Sequence, residues 1–360
     1  MSQKIRVAVL FGGKSVEHKV SLRSAKNIID HIDRKKFDLV LIGIDQQGSW
    51  YFLEDYSTVI TDGKPLGLYL SQKIDPFFVT ADNRSIGPID VVFPILHGND
   101  GEDGSIQGLL RTINIPFVGS GVLGSSVAFD KLCSKKLLEE ANIPTAKYTT
   151  ISIEEKEKIN FEDIKKLLEL PFFIKPVASG SSVGVFKVRD RQSFDFAVSD
   201  AFQYDNILLI EEFIEGREIE CAVKGNNQIE ASLPGEIVVV GNHDFYSFDA
   251  KYVDDTGAQL YMPADLPEDI KQKVQNLAIR AYKALYCEDY SRVDMFLKRN
   301  GEIIINEVNT IPGFTHISMF PKLWTLTGMT YSQLITQLIS FAIERHKQAI
   351  RIKREYDSAL

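Results

Sequence analysis

Three side chains that carry oxygen ligands alternate along two apolar segments in the last quarter of the chain. Asp294 lies in RVDMF, and Glu307 and Asn309 lie in INEVN. Residues two apart in a strand face the same side, so Glu307 and Asn309 are expected to point together, as are Arg292 and Asp294. Inward carboxylates need a balancing cation, and oxygen ligands suit a Mg²⁺ ion that bridges nucleotide phosphates. The guanidinium of Arg292 suits a developing oxyanion. A structural ion-pair network is the alternative interpretation.

A lysine followed by a loop of small residues indicates a phosphate site. In IKPVASGSSVGVFKV, Lys175 lies on a strand, the loop contains Ser181 and Ser182, and a second strand carries the chain away. Free N–H groups and hydroxyls in such a loop can close over phosphates while the lysine supplies a fixed charge. A Gly/Ser loop alone is often a flexible hairpin, so this interpretation depends on the segments that follow it.

The next segment, LIEEFIEGREIE, suits an adenine nucleotide. Backbone groups beside Glu211 can read the edge of the base, and apolar Phe213 and Ile214 can sandwich the ring. Glu218, after a glycine turn, can accept hydrogen bonds from ribose hydroxyls. In isolation the segment would be interpreted as an acidic edge strand.

The N-terminal stretch AVLFGGKS only superficially resembles a nucleotide-binding P-loop. The residues that would have to wrap phosphates, Val9 to Phe11, are the most strand-like part of the segment, and the remaining Gly12-Gly13 turn is too short. The third glycine of a dinucleotide-binding fingerprint is also missing. A glycine pair before a helix still lets a ligand approach the backbone. Glu17, in the first helical turn, either receives an ammonium group or complements the helix dipole.

The composition describes an ordinary globular protein of 360 residues, with 44% hydrophobic and 25% charged residues. A net charge of −8 argues against a nucleic-acid partner. The three cysteines are far apart, which excludes a disulfide scaffold and a cysteine zinc site. We find neither a signal peptide nor an apolar run long enough to span a membrane, so a cytoplasmic protein is expected.

The order of elements predicts an α/β fold that begins with an open parallel sheet. IRVAVLF and FDLVLIGID are buried strands on either side of an amphipathic helix, and IDVVFPIL runs into the polar turn HGNDGEDG and a helix near Ser105. From about Asp130 short strands alternate with helices, and antiparallel pairing is expected. Helices are predicted at Glu268–Leu285 and around Ser332–Arg345. The segment 242–259 is polar and aromatic, without a clear period.

Together these motifs resemble those of the ATP-grasp fold, and more closely those of the D-alanine–D-alanine ligases. GGKSVEHKVSL, HGNDGEDGSIQG, GSGVLGSSVAFDK, KPVASGSSVGV, FDAKY and NEVNTIPGFTHIS agree with that family in order and spacing along nearly the whole chain. The resemblance implies three lobes: a substrate-binding α/β domain at 1–125, a central ATP-grasp lobe at 126–212 and a C-terminal ATP-grasp lobe at 213–360. Residues 242–259 would form a lid loop.

The resemblance also implies the reaction. Ligases of this family join two D-alanines at the expense of ATP, with two Mg²⁺ ions or Mn²⁺ as cofactor. The carboxylate of the first D-alanine attacks the γ-phosphate, and the amine of the second displaces phosphate from the acyl phosphate. The implied partners are D-alanine and ATP, without nucleic acid or membrane, and the implied assembly is a homodimer.

The resemblance implies a role for individual residues of this chain. For the first D-alanine, the resemblance implies that Glu17 accepts the ammonium group and is linked to Ser181 and Tyr252, and that His97 lies nearby. It implies that Arg292 and the N–H of Gly313 donate to the oxyanion. Ser318 and Met319 would receive the carboxylate of the second D-alanine. For ATP, the resemblance implies phosphate contacts from Lys131, Lys175, Lys251 and Ser182, base and ribose contacts from Glu211, Phe213, Ile214 and Glu218, and metal ligation by Asp294, Glu307 and Asn309. Of the two interpretations of Glu17 given above, the resemblance therefore favours the ammonium acceptor over the partner of the helix dipole.

Two positions depart from the family pattern. Lys19 stands where a second acidic residue is common, and Met319 stands where leucine is common. Lys251-Tyr252 resembles the dipeptide-forming members more than the D-lactate-using ones. The rival hypotheses are a D-alanine–D-lactate or D-serine ligase, and a nucleotide-binding regulator without catalysis.

Overall fold

The computed structural model describes residues 4–70, 75–240 and 257–353. Its first sheet is built around β1 (Ile5–Gly12), β2 (Phe37–Ile44) and β7 (Val91–Pro94), with β1 between the other two and parallel to both. Helix α1 (His18–His31) connects β1 to β2. Strands of a parallel sheet are buried on both faces, which explains their continuous apolar runs. The expected β-α-β beginning is confirmed.

Four short strands extend this sheet beyond β2, and the sequence analysis did not identify them. They are β3 (Trp50–Leu53), β4 (Lys64–Leu68), β5 (Phe77–Val79) and β6 (Arg84–Ser85). All pair antiparallel, in the order β6-β5-β4-β3-β2-β1-β7. The sheet is therefore mixed, and its parallel part lies beside α1. After β7 the chain forms α2 (Ser105–Thr112) and α3 (Val122–Phe129).

The second sheet has four antiparallel strands in the order β10-β9-β11-β8. These are β8 (Tyr148–Ser152), β9 (Phe172–Pro176), β10 (Phe186–Val188) and β11 (Ile207–Glu212). The accompanying helices are α4 (Lys131–Glu140), α5 (Phe161–Leu168) and α6 (Arg191–Ala201). The antiparallel pairing expected from the short connections is confirmed. A separate apolar core, drawn from residues 151–210, supports this sheet.

The third sheet is antiparallel, in the order β15-β14-β12-β16-β17, with the short β13 paired to β12. Its strands are β12 (Arg217–Lys224), β13 (Glu230–Ala231), β14 (Gly235–Val239), β15 (Ala258–Tyr261), β16 (Tyr290–Leu297) and β17 (Ile303–Asn309). The last two residues of the segment 242–259 therefore belong to a strand. Residues 242–256, including Lys251 and Tyr252, lie outside the described ranges.

Three further helices lie within residues 257–353. These are α7 (Glu268–Ala284), α8 (Met319–Thr325) and α9 (Tyr331–Ala349). Helix α7 packs on the third sheet through an apolar cluster. Helices α8 and α9 join a core shared by the first and third sheets, in which Phe93, Ile237 and Leu338 are all buried. The helices expected at Glu268–Leu285 and Ser332–Arg345 are confirmed, the second extending further in both directions.

None of the helices in the described ranges combines the length and apolar character that crossing a bilayer requires. The three sheets occupy residues 5–94, 148–212 and 217–309. The boundaries proposed for the lobes, 1–125, 126–212 and 213–360, remain a prediction.

Candidate active site

The turn after β1 delivers Glu17 to the interior. Gly12 and Gly13 have φ angles of 94° and 93°, a conformation that favours glycine, and a Cβ on Gly12 would lie 2.2 Å from the Ile44 carbonyl oxygen. Glu17 precedes the first residue of α1 and is buried. The lysine of the P-loop-like stretch, Lys14, instead forms a surface ion pair with Asp100 at 2.8 Å. This turn is therefore not a phosphate cradle.

Glu17 meets the small-residue loop of the second lobe. The hydroxyl of Ser181 donates a hydrogen bond to its carboxylate. Two glycines leave room for this contact, since a Cβ at Gly98 or Gly180 would lie 2.8 or 2.6 Å from Glu17 Oε2. Ser181 and Ser182 adopt left-handed conformations with φ of 50° and 59°. Such strain in consecutive non-glycine residues is typical of ligand-binding loops.

His97 is buried, and both of its ring nitrogens have partners. Nδ1 lies 2.9 Å from the carbonyl oxygen of Ile311, which can only accept, so Nδ1 carries the proton. Nε2 then accepts from Ser24 Oγ at 3.1 Å, and that hydroxyl accepts from the N–H of Phe314. Burial lowers the pKa of His97 to about 4, so the ring is neutral. His97 thus fixes the segment that carries Gly313.

Glu102 is a buried carboxyl that the sequence analysis did not identify. Its two oxygens accept from the N–H groups of Gly98 at 2.8 Å and Ile311 at 3.3 Å. Burial, together with the charge of Glu17, raises the pKa of Glu102 to about 8. An acidic turn such as HGNDGEDG is normally interpreted as solvent-exposed, and only the distant partner at Ile311 reveals that this residue is enclosed.

The loop before α8 places Ser318 beside Gly313. Ser318 Oγ accepts from the N–H of Thr315 at 2.9 Å, and the two hydroxyls lie 2.7 Å apart. A Cβ on Gly313 would lie 2.9 Å from Ser318 Oγ, so glycine keeps the backbone there accessible. Met319 is buried, and its sulfur packs where a Cβ of Gly235 would be.

A charged cluster lies on β12, β16 and β17, three neighbouring strands at one side of the third sheet. Asp294 on β16 is directly opposite Glu307 on β17, and Arg292 is opposite Asn309. Two guanidinium nitrogens of Arg292 donate to the two Asp294 oxygens, each at 2.7 Å, and Nε lies 3.1 Å from Glu220. Burial lowers the pKa of Arg292, but these carboxylates outweigh it and hold the pKa well above its usual range. An ion-pair network therefore exists here.

The same cluster has the chemistry of a magnesium site. Three carboxylates and the Asn309 amide surround one arginine, and Asn309 Nδ2 donates to Asp294 at 3.0 Å. Within residues 4–70, 75–240 and 257–353, no three His, Cys, Asp or Glu side chains are already arranged around a common metal position. The predicted set of two carboxylates and an amide oxygen fits a hard cation once Asp294 and Asn309 exchange their present partners.

The predicted phosphate lysine, Lys175, pairs with Glu211 in the interior. A second lysine, Lys135, lies 3.0 Å from the other Glu211 oxygen and donates to the Ala146 carbonyl. Burial raises the pKa of Glu211, but the two lysines outweigh it and lower the pKa to about 2. Sequence analysis missed Lys135 because it lies in an ordinary amphipathic helix. Lys131, from the same helix, donates to the Ser179 carbonyl at 2.5 Å.

Two adjoining cavities contain the described site residues. The Glu17 cavity, of about 630 Å³, is lined by residues predicted to bind substrate: Glu17, His97, Ser181, Arg292, Gly313, Ser318 and Met319. The Lys175 cavity, of about 480 Å³, is lined by residues predicted to bind nucleotide: Lys131, Lys175, Ser182, Glu211, Phe213, Ile214 and Glu218. Ser181, Glu220 and Glu307 line both cavities, Asp294 lines the second and Asn309 the first. The cavities thus meet at the acidic cluster.

The rim of the Lys175 cavity presents an aromatic surface. The ammonium nitrogen of Lys187 lies 4.0 Å from the centroid of the Phe213 ring. The centroids of the Phe213 and Phe173 rings are 6.1 Å apart. Both phenylalanines line the cavity. Such a surface suits a planar heterocycle.

Comparisons with known proteins cover both halves of the chain. Family models described as the D-ala D-ala ligase N-terminus and C-terminus match residues 6–120 and 137–340. A D-alanine–D-alanine ligase of Shouchella clausii (strain KSM-K16) is 51% identical over 97% of this chain and 98% of its own. The D-alanine–D-alanine ligase structure from Coxiella burnetii matches at a TM-score of 0.84 and 35% identity, covering 97% and 98% of the two chains. The VanG D-Ala:D-Ser ligase structure from Enterococcus faecalis matches at a TM-score of 0.85 and 36% identity. The match covers 94% of this chain and 100% of that one.

Proposed function

The chain belongs to the D-alanine–D-alanine ligase family, and from this membership we propose how its two cavities divide the reaction. The protein is an ATP-dependent ligase that joins two D-alanines for peptidoglycan precursor synthesis. We assign the Lys175 cavity to ATP and the Glu17 cavity to the two D-alanines. The observation that carries this assignment is that Ser181 and Glu307 line both cavities. A phosphoryl group and its acceptor can therefore meet without leaving the protein.

In the Glu17 cavity, the buried Glu17 carboxylate receives the ammonium group of the first D-alanine. Ser181, already bonded to that carboxylate, fixes its orientation. Neutral His97 does not contribute a charge; it holds the Ile311–Phe314 segment so that the Gly313 N–H points at the reacting carbonyl. Arg292 and that N–H stabilise the oxyanion that forms when the second amine attacks. Ser318 and Met319 receive the carboxylate of the second D-alanine, Met319 through its backbone.

In the Lys175 cavity, the aromatic rim and Ile214 hold the adenine ring, and Glu218 accepts from the ribose. Lys131, Lys175, Ser182 and, beyond the described residues, Lys251 contact the phosphates. Glu211 pairs with both Lys135 and Lys175, so we assign it to orienting Lys175 as well as to the base. Tyr252 is assigned to the substrate lid by family resemblance.

Asp294, Glu307 and Asn309 would hold Mg²⁺, or Mn²⁺ in its place. The ion would neutralise charge on the phosphates and on the transferred group. The carboxylates supply the hard oxygen ligands that such ions prefer, and Glu307 lies at the border of the two cavities. We further propose a cytoplasmic homodimer that needs neither membrane nor nucleic acid.

The proposal is tested by the amino-acid dependence of ADP release. We expect D-alanine alone, with ATP and Mg²⁺, to support turnover and to yield D-alanyl-D-alanine. D-lactate added near pH 6, or D-serine, should compete poorly. A preference for either one would replace the main assignment with that of a depsipeptide or D-serine ligase, and no ADP release with D-alanine would indicate a nucleotide-binding regulator.

A further inference from the structure

Three carboxylates form a row across neighbouring strands of the third sheet. Glu220 on β12 is paired with Asp294 on β16, and Asp294 is paired with Glu307 on β17. Directly opposed residues of antiparallel strands share one face of the sheet. Glu220 and Glu307 line both cavities, and Asp294 lines the Lys175 cavity. Nothing described so far gives Glu220 a function.

Arg292 is shared between two members of this row. It makes a bidentate hydrogen bond to Asp294, and its Nε also lies 3.1 Å from Glu220 Oε2. The exposed fractions of the Arg292 and Glu220 side chains are 17% and 6%. Charges so close together and so shielded from water interact strongly. Arg292 therefore has two anionic partners, whereas the metal role proposed above requires one of them, Asp294, for a different cation.

The two uses of Asp294 conflict. Both of its oxygens are occupied by the guanidinium, and a second cation placed on the same carboxylate would be repelled by Arg292. If Arg292 simply lost Asp294, a mostly buried charge would be left unpaired, which is strongly unfavourable. Glu220 removes this difficulty because it already lies at ion-pair distance.

We propose that Glu220 is a positioning residue that retains Arg292 in the site when Asp294 binds the metal. Glu220 takes over as the ionic partner of the guanidinium, so Asp294 is released toward the nucleotide without Arg292 leaving the Glu17 cavity. This inference rests on the metal site of the proposed function. It predicts that neutralising Glu220 strengthens the hold of Arg292 on Asp294 and so weakens metal binding.

The test measures Mn²⁺ binding in the presence of ADP, from the electron paramagnetic resonance signal of free Mn²⁺, corrected for Mn²⁺ bound by ADP alone. We expect Glu220→Gln to weaken Mn²⁺ binding about five- to tenfold, the range of a close charge pair. Glu230→Gln is the matched control. Like Glu220, Glu230 pairs with a basic residue of the third sheet, here Lys224, but it lines neither cavity. Its substitution should leave the Mn²⁺ affinity unchanged.

A double-mutant cycle with Arg292→Met separates action through Arg292 from a direct effect on the metal. If Glu220 acts through Arg292, Glu220→Gln should change Mn²⁺ affinity less than about twofold in the Arg292→Met background. The same loss in both backgrounds would mean that Glu220 acts on the metal directly, and no loss in either would mean that it has no part; both results overturn the inference.

Two further outcomes are distinguishable. If Glu307→Gln weakens Mn²⁺ binding and Glu220→Gln does not, the metal site stands and this inference fails. If the unaltered protein binds no Mn²⁺ with ADP, the proposed metal site fails and the inference with it. Should Glu220→Gln not fold alone, the double variant leaves no unpaired buried charge in the pair. A clear difference in Mn²⁺ affinity between it and Arg292→Met would still overturn the inference.

Discussion

The hydroxyl of Ser181 donates to the carboxylate of Glu17, and the two residues are 164 positions apart in the chain. One comes from a turn of the first sheet and the other from a loop of the second. This hydrogen bond therefore lies at the border between the Glu17 and Lys175 cavities, both of which Ser181 lines.

Gly180→Ala should damage the site without disturbing the fold. A Cβ at this position would lie 2.6 Å from Glu17 Oε2 and displace the carboxylate or the loop. Because small misplacements of reacting groups are costly, we expect kcat/KM for D-alanine to fall at least about tenfold, while ADP affinity changes little. Steady-state kinetics and ADP titration check this. Gly108→Ala in α2 is the control, since its Cβ meets nothing nearer than 4.0 Å; equal kinetics in the two variants would contradict the prediction.

Lys135→Met should destabilise the protein because it leaves buried Glu211 with one lysine instead of two. Removing one member of a buried ion cluster costs about 3 kcal/mol. Urea denaturation at neutral pH measures the loss, and ADP titration should show weaker binding through a misplaced Lys175. Lys136→Met, at the exposed neighbouring position, should leave both quantities unchanged. A Lys135 variant as stable as the unaltered protein would show that the cluster does not need its second cation.

The same cluster predicts a loss of stability in acid. The pKa of Glu211 is lowered to about 2 from its usual 4.5. Its contribution to folding stability is therefore complete above the unfolded pKa and disappears as the pH falls through the folded pKa. We expect this residue to account for about 3 kcal/mol between pH 6 and pH 2. Glu211→Gln should show a flatter stability profile over that range; a profile parallel to that of the unaltered protein would contradict the prediction.

Glu102 predicts a loss of folding stability as the pH rises. Its pKa is raised to about 8, so the folded state holds a proton that the unfolded state has already released. Stability should therefore fall by about 3 kcal/mol as the pH rises from 6 to 9. Glu102→Gln cannot ionise and should lose less stability over this interval. Exposed Glu140→Gln is the control and should follow the unaltered protein. If Glu102→Gln does so too, the titration of Glu102 does not contribute to stability in this interval.

Glu307→Gln should lower turnover about a hundredfold or more, because it removes a proposed metal ligand at the border of the two cavities. The amide keeps the shape of the side chain, so thermal unfolding should change little. Glu302→Gln tests the same substitution on an exposed position just before the same strand. A Glu307 variant with a near-normal rate of ADP release would remove Glu307 from the metal set.

Sequence reasoning succeeded where chemistry follows a local period. Alternation within one strand predicts that Arg292 and Asp294 face the same side, and the structure places them opposite Asn309 and Glu307 of the next strand. The loop after Lys175 was expected between two antiparallel strands, and β9 and β10 confirm this. The strand character of Val9 to Phe11 excluded a P-loop, as the structure confirms.

It failed where a residue's environment depends on distant parts of the chain. Glu102 is enclosed by a backbone group 209 positions away, and Lys135, in helix α4, by the Glu211 carboxylate on β11. Glu220 was one acidic residue in an acidic segment until strand pairing placed it beside Asp294. The short strands β3 to β6 have too few residues to show a period. Burial and pairing register are properties of the assembled fold, and no local pattern encodes them.

The shared core of the first and third sheets has a consequence for synthesis. Its buried members run from Val7 to Ala342, whereas the core of the second sheet is drawn entirely from residues 151–210. The second lobe can thus complete its interior soon after it leaves the ribosome. The first sheet must keep part of its apolar surface exposed until α9, more than two hundred residues later, has been translated. Nascent chains that stall before α9 should be the ones that recruit chaperones, with their exposed surface at the N-terminal sheet.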